Sequence, residues 1–181
     1  MVEHVAYDIW MLHETSQLLG LAQTLRLGRP WQSALLESFL IHARNLVYFL
    51  YPPKDGDLRD GDVLARDYPS TAGLPLRPHV QIVGVSTSDL SNNISRRIAH
   101  IHTMRTDEGL QWAYGAVANV LLARTLRHVA TIETPYDELF RSEFSKLGWE
   151  LDEIVAALPL NEEALPEDLL AMQRNKQRDS E

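Results

Sequence analysis

Apolar residues recur at helical spacing through most of the chain, and the breaks between the runs fall at glycine and proline. From Glu3 to about Arg26 the positions Val5, Ile9, Leu12, Leu18, Leu19, Leu21, Ala22 and Leu25 predict an amphipathic first helix, ended by Gly28. Pro30 sits where a first-turn proline belongs and opens a second helix running to about Tyr51, which Pro52-Pro53 closes. Lys54–Gly61 reads as a loop and Asp62–Tyr68 as a short helical turn. Pro69–Gly84 carries three prolines and two glycines, so it predicts a long irregular crossing, with a brief extended piece at Val80–Val85. Ser86 or Ser88 caps a third helix that reaches Met104 or Arg105, and a fourth covers about Asp107–Ala130. Thr134-Pro135, a capping residue before a first-turn proline, starts a fifth that extends to about Leu158. Pro159 and Pro166 bracket a last short helix. The expected architecture is all-α: a single domain over 1–172, an antiparallel bundle of four or five long helices crossed at one end by the 69–84 segment, with a frayed polar tail at 173–181.

The second predicted helix is apolar on almost every side from Leu35 to Tyr51, yet it holds His42, Arg44 and Asn45 at its centre. Polar groups inside a bundle cost free energy unless partners satisfy them, so those partners define a site. At about 100° per residue, Asn45 and Phe49 lie within about 60° of His42, while Arg44 points to the opposite side. The segment 91–105 offers matching groups. Asn93, Arg96, Arg97 and His100 form one stripe beside the apolar stripe Leu90, Ile94, Ile98 and Ile101, which suits docking the polar stripe on His42 and Asn45. Arg44, Arg96, Arg97, Arg105, His100 and His102 are then expected around one concave surface, with His42, Asn45 and Asn93 in support. Two readings of the stripe stay open. A buried histidine and asparagine often do no more than satisfy polar groups between helices. Alternatively, an imidazole that transfers protons beside guanidinium groups that stabilise phosphate makes a phosphodiester site. A metal fits poorly, since His100 and His102 diverge by about 160° on a helix and no carboxylate joins their stripe, so no metal and no cofactor is expected. His4, His13, His79 and His128 are scattered singly and read as surface or satisfied residues.

Composition changes the picture in two places. The chain of 181 residues has no cysteine, which excludes disulfides, thiolate metal sites and a cysteine nucleophile. It lacks a signal-peptide pattern and an apolar run approaching 18 residues, so a cytoplasmic protein without a membrane partner is expected. The formal net charge of −8 is unevenly spread. Residues 133–172 hold eleven acidic side chains against two basic ones, whereas residues 1–132 hold twelve of each. An RNA contact at the local cationic cluster of Arg96, Arg97 and Arg105 is therefore compatible with the overall charge. The acidic C-terminal helices are either solvated faces or a surface for a basic protein partner.

The spacing Arg97-x4-His102, set in a helical-bundle pattern over about residues 1–158, resembles that of HEPN-domain proteins. These are all-helical bundles found among bacterial toxins, defence ribonucleases and noncatalytic relatives. A second alignment starts at Arg44-Asn45 and puts Phe49 at the histidine position. Through Arg97 the resemblance implies a metal-independent ribonuclease, a toxin or defence component, commonly acting across a homodimer interface. Arg97 would stabilise phosphate charge and His102 would transfer a proton, with His100 as the alternative read from the residues themselves. The competing expectation is a noncatalytic helical partner in a defence or toxin–antitoxin pair.

Overall fold

The computed structural model describes residues 1–52, 58, 61–72 and 114–157. The helices among them are α1 (Val2–Thr24), α2 (Arg29–Leu50), α3 (Tyr114–Ala130), α4 (Tyr136–Lys146) and α5 (Leu151–Ala157), with a 3-10 turn at Ala65–Asp67. The protein is all-α, as the hydrophobic spacing predicts. No described helix is long and apolar enough to cross a membrane. The third predicted helix, most of the 69–84 crossing, the last short helix and the 173–181 tail lie outside the described residues.

Helices α1 and α2 form an antiparallel pair. Asp8 meets His42 and Asn45 at nearly equal distances along the chain from the intervening turn, which fixes the direction. Helix α3 runs alongside α2 in the same sense. Its first residue, Tyr114, touches Phe39 and donates a hydrogen bond to Gln23, while Arg124 and His128 farther on reach Tyr51 and Phe49. Ile9 and Leu12 of α1, Phe39 and Leu46 of α2, Leu121 and Leu126 of α3, and Phe140 and Phe144 of α4 are fully buried in one core.

The helix ends correct the sequence reading in three places. Gly28 does not end α1. It occupies the N-cap position of α2, and Pro30 takes its expected first-turn place there. Helix α1 closes instead at Arg26, which adopts a left-handed φ of 51°. Its amide bonds to the Gln23 carbonyl and that of Leu27 to the Ala22 carbonyl, the paired bonds of a Schellman cap. A non-glycine residue there carries a steric cost of ~1 kcal/mol. Thr134 does not cap the next helix either. A turn closes first through the Tyr136 amide and Glu133 carbonyl, leaving Pro135 at the N-cap position of α4 with no side-chain cap. Finally, the expected single helix to Leu158 is two. Gly148 takes φ of 77°, its amide bonds to the Ser145 carbonyl, and the Trp149 amide returns to Phe144. That second Schellman cap ends α4 and lets Trp149 stack on Phe144 and meet His13 edge-on.

The segment after the 3-10 turn is stitched to the α3–α4 connection. Ser70 and Ile132 form an antiparallel bridge, the Thr71 amide bonds to Thr131 and the Glu133 amide to Pro69. Tyr68 is thereby pressed into an aromatic cluster of Phe49, Tyr136 and Phe140. Its hydroxyl is buried without a hydrogen-bond partner. Burial, with Asp67 and Tyr136 adding to it, pushes that hydroxyl above its ordinary pKa. Tyr68→Phe removes an unsatisfied polar atom while keeping the ring, so it is expected to stabilise the protein by ~1 kcal/mol in a thermal or denaturant melt. The sign of the pH effect follows. Above pH 10 the unfolded chain loses the tyrosine proton that the folded state keeps, so stability falls as pH rises through that range. The alkaline decline is expected to be shallower in Tyr68→Phe than in the parent, and an unchanged decline would exclude Tyr68 as a contributor.

Candidate functional site

The polar centre of α2 is satisfied by a residue of α1. Val5, Ile9 and Leu12 of α1 face the core, and Asp8 lies three residues after Val5 and four before Leu12, at the margin of that buried face. It meets α2 at His42 and Asn45, where polar side chains interrupt the apolar surface. His42 Nδ1 lies 2.6 Å from Asp8 Oδ1, and Asn45 Nδ2 donates to the same oxygen at 3.2 Å. A carboxylate oxygen accepts, so the imidazole meets Asp8 through its Nδ1–H. The His42 and Asp8 side chains are 11% and 17% exposed, so the pair is largely withdrawn from water. Tyr7 closes one side with an edge contact to the imidazole, centroids 5.6 Å apart, and itself contacts Trp10.

The arrangement has the parts of an oriented base. A carboxylate bonded to one imidazole nitrogen fixes the tautomer and the ring plane, leaving the other nitrogen available for proton transfer. Asn45 holds the carboxylate from the other side. The same contacts also lock α1 to α2, since a charge-assisted bond across helices carries more than a neutral one.

The predicted site residues divide clearly. His42 and Asn45 are brought together on one edge, as their helical angles require. Arg44 is half-buried on α2. Asn93, Arg96, Arg97, His100, His102 and Arg105 lie outside the described residues. Where the sequence reading looks to the 91–105 segment to satisfy His42, the described structure supplies Asp8, which that reading did not single out. Its place on the margin of the buried α1 face becomes a signal only once α2, which holds the two donors, is laid against that face.

The other described histidines are placed differently. His4 is exposed beside Glu3, and His13 bonds Glu14 and packs on Trp149. His128 is buried on α3, with Nε2 3.2 Å from the Ala65 carbonyl oxygen, where it ties the 3-10 turn to the bundle. A second buried polar contact joins α2 to α3, the Arg124 guanidinium donating to the Tyr51 hydroxyl at 3.0 Å. Burial pushes the Tyr51 hydroxyl above its ordinary pKa, and Arg124 pulls it the other way. Among the described residues no group of three histidine, aspartate or glutamate side chains is placed to share a metal ion.

Comparison of the chain with protein-family models, with curated proteins and with solved structures finds no match to any of them.

Proposed function

We propose that this chain is a metal-independent ribonuclease of the HEPN-like kind. The observation that supports the reading is the Asp8–His42–Asn45 centre: an imidazole held against a carboxylate, largely withdrawn from water, at the middle of an all-helical bundle. Stability alone is a weak reason for such a pair, because well-packed apolar residues of similar volume often serve as well in a protein interior.

The reaction that fits is transesterification. The ribose 2′-oxygen attacks the adjacent phosphorus as a base removes its proton, the P–O5′ bond breaks, and an acid protonates the departing 5′-oxygen. The products are a 2′,3′-cyclic phosphate and a 5′-hydroxyl. In this proposal His102, or His100 in its place, transfers the proton, and Arg97 stabilises the phosphate charge. Arg96, Arg105 and Arg44 hold the RNA backbone, while His42 and Asn45, with Asn93, support the site and Asp8 orients His42.

The test is cleavage of an end-labelled single-stranded RNA by the purified protein with EDTA present. Cleavage leaving 2′,3′-cyclic phosphate ends is expected, reduced at least about tenfold in Arg97→Ala and His102→Ala. Asp8→Asn, acting through His42, is expected to shift the pH profile rather than abolish cleavage. Cleavage that survives alanine at both His100 and His102 would remove this chemistry.

A second reading has its own observation. On α4 and α5 the carboxylates of Asp137, Glu138, Glu143, Asp152 and Glu153 face only two basic side chains, and both are engaged: Arg141 with Asp152 at 2.8 Å and Lys146 with Glu143 at 2.6 Å. Arg141 beside Asp152 also holds that carboxyl below the usual range. The surface is thus acidic in net terms, and it suits a basic protein partner rather than a nucleic acid. Salt-sensitive binding of an oligo-lysine peptide, lost in Glu138→Lys with Glu153→Lys, together with no RNA cleavage, would favour this noncatalytic role.

A further inference from the structure

We draw no further inference here: the strongest candidate, the outer apolar face of α1 where Tyr7, Leu18, Leu21 and Leu25 stand exposed, carries none because nothing in the structure shows what covers it.

Discussion

Phe140→Ala is expected to destabilise the protein by about 4 kcal/mol, the range for truncating a fully buried phenylalanine, and to lower the melting temperature by ~10 °C in a chain of this length. Phe140 has no exposed surface. Its ring packs on Tyr68 from the segment after the 3-10 turn and on Phe144 one turn along α4, and Phe144 in turn stacks on Trp149. This row of rings joins the segment after the 3-10 turn to α4 and to the cap at the end of α4, regions about 70 residues apart at its first link. A cavity there cannot collapse easily, since Tyr68 is held by the backbone bonds around Ser70 and Thr131, and Trp149 by the cap at Gly148. Phe140→Leu refills most of the volume and should cost less than half as much. Leu139, next along the helix but 50% exposed, serves as the internal control, and its alanine variant should be nearly silent. A Phe140→Ala loss no larger than that of Leu139→Ala would mean that α4 is not anchored by this row.

The hydrophobic spacing was enough to read the all-α class and the start of the first two helices, because periodicity reports burial and burial dominates these segments. Helix ends were less legible, for a reason that differs at each. At Gly148 the signal was available: Lys146 in the last turn and glycine at the left-handed position are the marks of a helix end, but the apolar residues of 151–157 continue a helical spacing and mask the break. At Arg26 the reverse holds, since composition points to Gly28 and only tertiary context keeps an arginine in the left-handed region. The outer leucines of α1 were misplaced because periodicity detects that a helix has apolar positions without counting how many faces they occupy. Of the candidate site, His42 and Asn45 were legible from their isolation among apolar neighbours. Asp8 was not, because a lone aspartate early in the first helix reads as surface until α2 is laid against it.

The Asp8 pairing makes the second large prediction, and its form separates a coupled centre from two independent polar residues. Asp8→Ala is expected to cost about 3 kcal/mol, since it leaves the His42 Nδ1–H and the Asn45 amide without their acceptor in a site largely withdrawn from water. His42→Ala should cost about 2 kcal/mol: the carboxylate keeps Asn45 and partial access to water, which softens the loss. Because each single change already breaks the shared bond, the double variant should cost little more than Asp8→Ala alone, giving a coupling of about 2 kcal/mol in a double-mutant cycle. Asp8→Asn tests the role of charge. Its amide oxygen can still accept from both donors, so it should fall between the parent and the alanine variant. Measured by urea denaturation, additive losses from Asp8→Ala and His42→Ala would show that the two side chains act separately. That result would also remove the basis for treating His42 as a fixed imidazole, because a ring that does not depend on Asp8 for stability is not held by it in one tautomer and plane.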